Sequence, residues 1–175
     1  MKLAAVPGLT PVPTQSVEAT AAALTELIVK ARGPESAHDP GVALAAQDAA
    51  ELAHENGPGL VAVLTHAAAD PAILVANVVT SDVPVADLHR HLVDEDDIHE
   101  VTTSETTRGY PVVIAERLLM SGAQLQTVVV APAGHHMAVF TLHSPTGRGW
   151  LELAAVLGRL VSSVDFGQPF SSESR

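Results

Sequence analysis

The chain is 175 residues long, 47% hydrophobic and only 17% charged, with a mean hydropathy of +0.25, which excludes a disordered polymer and predicts a folded domain. Nine Lys and Arg face twenty Asp and Glu, a formal net charge of −11, and this excludes the continuous basic surface that nucleic acid or an anionic membrane needs. Cysteine is absent, so disulfides and thiolate catalysis are excluded, while a chain of this length can bury about 70% of its unfolded surface without a structural metal.

The start, Met1 to Gly8, carries Lys2 and a short apolar run that Pro7, Pro11 and Pro13 interrupt before a signal-peptide core forms. No window reaches the ~18 apolar residues of a membrane span. The expected location is the cytoplasm. A short strand at Leu3–Val6 is an optional addition to the elements that follow.

Ser16 is an N-cap candidate, and Val17, Ala21, Leu24, Leu27, Ile28 and Ala31 recur at helical spacing until Arg32-Gly33-Pro34. A loop to Gly41 leads into an Ala-rich second helix, whose apolar stripe is read as Ala45, Ala49, Leu52 and Ala53. Two β-rich runs, Leu60–His66 and Ile73–Thr80, flank Ala67 to Pro71 and predict an antiparallel hairpin with a longer loop. Ser81 or Asp82 caps a short third helix, with Pro84 in its first turn and Val85, Leu88 and Leu92 as its buried stripe.

Four strands follow, Ile98–Thr106, Tyr110–Leu118, Gln124–Ala131 and Met137–His143. Their joints at Arg108-Gly109, Ser121-Gly122 and Pro132-Ala133-Gly134 are short and turn-prone, which predicts an antiparallel meander. Thr146 to Gly149 opens the last helix, in which Trp150, Leu153, Leu157, Leu160, Val161 and Val164 keep helical period. The expected architecture is α+β, an antiparallel sheet of about six strands flanked by about four helices. Residues 1–166 form a single domain and 167–175 a flexible tail in this reading.

The chemistry-bearing residues form no recognised constellation. His89, His91, Asp94 to Asp97, His99 and Glu100 crowd one segment, but residues two apart on a helix are rotated by roughly 200° and cannot share an ion. That segment reads as a solvated acidic loop, so no metal or cofactor is expected. His135 and His136 are expected on opposite sides of their strand, one exposed and one partly buried, with His143 roughly 26 Å further along. No Gly-x-Ser-x-Gly elbow or His-Glu-x-x-His occurs, since His54-Glu55 runs into Asn56-Gly57. Gly147-Arg148-Gly149 offers backbone N–H groups to an anion but reads first as a turn. Glu100, Glu105 and Glu116 share no site, and Glu116-Arg117 reads as a sheet-edge or solvent-face pair. An enzyme is not expected.

The run Leu3 to Pro7, the hairpin from Leu60 to Thr80, and the strands Gly109 to Ile114 and Gln124 to Pro132 resemble a group of uncharacterised actinobacterial proteins. Met137 to Pro145 followed by an amphipathic terminal helix ending Leu160 to Phe166 is similar to the Mog1/PsbP-like fold, including mycobacterial lipoproteins of the LpqN type. The resemblance implies a helix-flanked antiparallel sheet and a non-enzymatic protein-interaction or assembly role, in some relatives as a secretion-system accessory. It carries no functional residue onto this chain, which lacks the Cys that lipoproteins acylate. The alternative expectation is a small-ligand-binding protein or enzyme with a pocket between the sheet and the terminal helix. Trp150, Phe140 and Tyr110 would line that pocket, and Arg148 would assist. The expected partner is another protein, with a homodimer through an edge strand as a third arrangement.

Overall fold

The structure is a computed structural model that describes residues 1–55, 57, 59–81, 83–93, 97–119, 122–132 and 135–167. In chain order the elements are β1 (Leu9–Pro11), α1 (Val17–Arg32), α2 (Pro40–Glu55), β2 (Leu60–His66), β3 (Ala69–Thr80), α3 (Val85–Val93), β4 (Ile98–Glu105), β5 (Pro111–Leu119), β6 (Gly122–Val130), β7 (His136–Ser144) and α4 (Trp150–Ser162). The strands make one seven-stranded sheet in the order β1-β2-β3-β7-β6-β5-β4, antiparallel at every pairing. The α+β class is as expected, with one strand more than about six. The tail expected from 167 falls, beyond Gly167, outside the described residues.

The extra strand is β1, and it lies further along the chain than Leu3–Val6. Gly8, at φ +88°, turns the chain onto the edge of β2, and a Cβ there would sit 2.3 Å from the Thr65 carbonyl oxygen. Pro11 is tolerated because β1 is an edge strand, where a missing N–H breaks no ladder. Before it, Lys2 and Asp165 exchange backbone hydrogen bonds of 2.7 and 3.0 Å.

β3 also begins earlier than expected, at Ala69, so the turn after β2 is only Ala67-Ala68. A register shift between Leu64 and His66 accommodates the strand start that Asp70-Pro71 disguises as a loop.

Successive strand residues face opposite sides of a sheet, and the two faces here are covered differently. One face presents Leu64, Leu74, Phe140 and Leu142 to Leu153, Val156, Leu157 and Leu160 of α4, all buried. The opposite face presents Val61, Val63, Ile73 and Val75 to Leu24 and Ile28 of α1 and Val42 and Ala46 of α2. At the far end of that second face, α3 covers Val113 and Ala115 with Leu92. α1 starts where expected, with the Ser16 hydroxyl accepting the Ala19 N–H at 3.2 Å.

The stripe of α2 differs from the sequence reading. Val42, Ala46, Ala50 and Ala53 are buried, Ala45 and Ala49 are half-buried, and Leu52 is 37% and Leu44 62% exposed. The small residues let α2 lie close against α1, and this rotates the larger leucines outward. Glu116-Arg117 is likewise not a solvent-face pair. β5 is an interior strand, which rules out a sheet edge; Glu116 accepts the Trp150 indole N–H of α4, and the side chain of Arg117 is only 11% exposed.

Candidate functional site

The residues expected to line a pocket under α4 do not come together. Phe140 is fully buried in the core between the sheet and α4. Tyr110 packs on Phe166, beyond the C-terminal end of α4, with ring centroids 5.5 Å apart. Trp150 opens α4 and donates its indole N–H to Oε1 of Glu116 at 2.5 Å. Arg148 is tied to Asp70 at 2.8 Å with its own side chain 73% exposed. A thirteen-residue helix is about 20 Å long, so Trp150 and Tyr110 stand at opposite ends of it. The space between them is filled by leucines and valines of α4.

A cavity of about 720 Å³ does flank the C-terminal end of α4, lined by Leu160, Leu60, Val78, Leu3 and Val6. No polar side chain is among the residues that line it, so it offers only backbone groups to orient a ligand. The Gly147-Arg148-Gly149 amides are a turn and not an anion cradle. The Gly147 and Arg148 N–H groups go to Ser144 Oγ and Thr146 Oγ1, and Thr146 in turn donates to Asp70 at 2.8 Å.

The better-furnished cavity lies on the opposite face of the sheet. α1 and α2 cover β2 and β3, α3 covers β4 to β6, and between them the centre of the sheet is left as a groove of about 540 Å³. Its wall is α2, through Leu44, Ala45, Asp48, Ala49 and Leu52. Its floor is Gln124, Thr141 and His143, with Leu119 at one side.

The register explains this floor. Ile73 pairs with His143, His143 with Gln124 and Gln124 with Arg117, so one row across the face runs from core hydrophobe to cation. The next row is Val75, Thr141, Gln126 and Ala115. The second row is apolar at both ends, under the helices, and both rows are polar in between, where no helix excludes water.

Within the groove Arg32 and Asp39 form an ion pair of 3.2 Å. The exposed side chain of Asp48 makes no ion pair or hydrogen bond among the described residues, and its charge acts on His143. His143 is half-buried, and desolvation holds its imidazole below the ordinary value, opposed by the Asp48 carboxylate. Arg117, beside Gln124 in the register, donates to Gln126 Oε1 at 2.6 Å and pairs with Asp97 at 3.3 Å. A neutral imidazole, an amide, a hydroxyl and a carboxylate thus converge beside an aliphatic wall.

The remaining histidines do not join them. His135 and His136 are both exposed, not one exposed and one partly buried; His135 precedes β7 and stands beside Pro84 and Val85 at the start of α3. His89 and His91 sit on α3, half-buried and exposed respectively, while Asp94, Glu95 and Asp96 lie outside the described residues. Among the described residues no group of three or more His, Asp and Glu is placed to hold a metal ion. Glu100 and Glu116 stand directly opposite across β4 and β5, a juxtaposition the sequence did not suggest, with Glu105 at the far end of β4. No described helix is long and apolar enough to cross a membrane. No family model, curated protein or solved structure matches the chain.

Proposed function

We propose that the protein is a non-enzymatic, cytoplasmic binding module whose working surface is the groove between α2 and the β6–β7 floor. Its occupant is a short segment of a partner protein. The observation that carries this reading is the pair Leu44 and Leu52, 62% and 37% exposed, along one face of α2 above a floor of hydrogen-bonding side chains. Large aliphatic groups left open beside convergent polar ones are the usual make-up of a recognition site. An assembly role, implied by the resemblance to Mog1/PsbP-like proteins, or a secretion-accessory one, implied by the resemblance to actinobacterial proteins, is compatible with such a surface and rests on the sequence pattern alone.

The volume of about 540 Å³ also falls within the roughly 300–1,000 Å³ of small-ligand pockets, which supports a small organic ligand as the second reading. A homodimer would add a strand at the outer edge of β4, where Glu100 and Glu105 are the kind of charges that oppose strand addition.

The test is affinity capture from the native host with the wild-type chain and with Leu44→Ser/Leu52→Ser side by side. A protein held in stoichiometric amount by the wild type and lost by the variant supports the reading. Equal recovery from both, or recovery of the chain alone, overturns it.

A further inference from the structure

We propose that the anchoring group taken by the groove is an aliphatic ammonium, the end of a lysine-type side chain, with its charge on Asp48 and its methylenes on Leu44 and Leu52. This rests on the groove being the working surface and adds the chemistry of what enters it.

The charges facing the groove decide the sign. Arg32 and Asp39 neutralise each other at 3.2 Å, and the guanidinium of Arg117, next to the floor, is engaged by Asp97 and Gln126. Asp48 then remains as a carboxylate with no ion pair among the described residues. The imidazole of His143 is the other titratable group that faces it, and burial disfavours the charged form of that ring.

The hydrogen-bonding inventory agrees with the charge. An ammonium has three donors and no acceptor, while the Gln124 carbonyl, the Thr141 hydroxyl and an imidazole nitrogen all accept. An anion would find its cationic donors already committed. The aliphatic wall suits the four-carbon stem of lysine, which buries its methylenes along apolar surface while its head stays polar. The formal net charge of −11 further favours encounter with a cationic partner.

The experiment is a titration of the full chain with n-hexylammonium, n-hexanol and n-hexanoate, read by NMR at the Leu44 and Leu52 methyls and the His143 ring. Hexylammonium is expected to give saturable shifts at those groups, at an affinity about fivefold above hexanol, the upper range of an exposed ion pair. Hexanoate is expected to give none. Asp48→Asn should bring the ammonium down to the level of hexanol, and Glu26→Gln, which removes an equal charge from the exposed side of α1, should leave it unchanged. Equal binding of hexanol and hexylammonium, insensitivity to Asp48→Asn, or preference for hexanoate would overturn the ammonium assignment while the groove reading stands. Shifts from none of the three would overturn both.

Discussion

Trp150 and Glu116 are joined across the sheet–helix interface by an indole N–H to carboxylate hydrogen bond of 2.5 Å. The single tryptophan therefore orients the start of α4 on β5 and does not project into a cavity. Hydrogen bonds to charged groups contribute about 1.5–3 kcal/mol when buried, and both residues here are partly buried. Trp150→Phe is expected to cost about 1–2 kcal/mol in urea unfolding. Glu116→Gln in the same background should cost much less than it does alone, and the groove ligand should bind all these variants equally. Additive losses would show that the contact is not energetically coupled.

Leu44 and Ala46 lie two residues apart on α2 with opposite surroundings, one 62% exposed above the groove and the other fully buried against α1. Leu44→Ser is expected to change stability by less than about 0.5 kcal/mol, the usual range for a surface substitution. Ala46→Leu is expected to cost about 1–3 kcal/mol by forcing methylenes between two close helices. Denaturant midpoints measured together check the assignment of the two faces.

The side-chain oxygen of Asn77 is buried and has no hydrogen-bond partner among the described residues. A buried unsatisfied polar group costs about 1–3 kcal/mol, so Asn77→Val, which also suits a strand, is expected to raise stability by about 1 kcal/mol. Gly59→Ala is expected to do the reverse, because its Cβ would sit 2.0 Å from that oxygen and 2.2 Å from the Ala76 carbonyl oxygen. Thermal and urea unfolding of the two variants read the opposite signs directly.

Burial holds the His143 imidazole below its ordinary value, with Asp48 pulling the other way. As pH falls through the ordinary histidine value near 6.5, the unfolded chain takes up a proton at this residue before the folded chain does. Its contribution is therefore a loss of stability that begins near that pH and is complete below the folded value. Urea midpoints compared at about pH 7.5 and 5.5 should fall less for His143→Gln than for the wild type. Ring resonances of His143 should titrate below those of a model histidine.

The ends of α1 were legible because local chemistry sets them, Ser16 by capping and Gly33 by its positive φ of 111°. The four meander strands were legible too, since short turn-prone joints separate them. β1 was not, because three residues gain their strand character from β2 and not from their own sequence. The groove was hidden for a related reason. Gln124, Thr141 and His143 are ordinary strand residues until the register sets them side by side, and Leu52 looks like core until packing against α1 selects the alanines. Paired polar residues at even spacing, Gln124 with Gln126 and Thr141 with His143, were the available sign.

The insertion of β7 between β3 and β6 sets an order of assembly on the ribosome. β1 to β3 with α1 and α2, and β4 to β6 with α3, are all made before the strand that joins them, and Ile73 must wait for His143. Until β7 emerges, β3 and β6 each offer a ladder of open hydrogen-bonding groups, the condition under which chains pair with their neighbours. Closure by a late strand is a long-range event that folds slowly. A nascent chain stalled before residue 136 would hold two half-sheets with no strand between them.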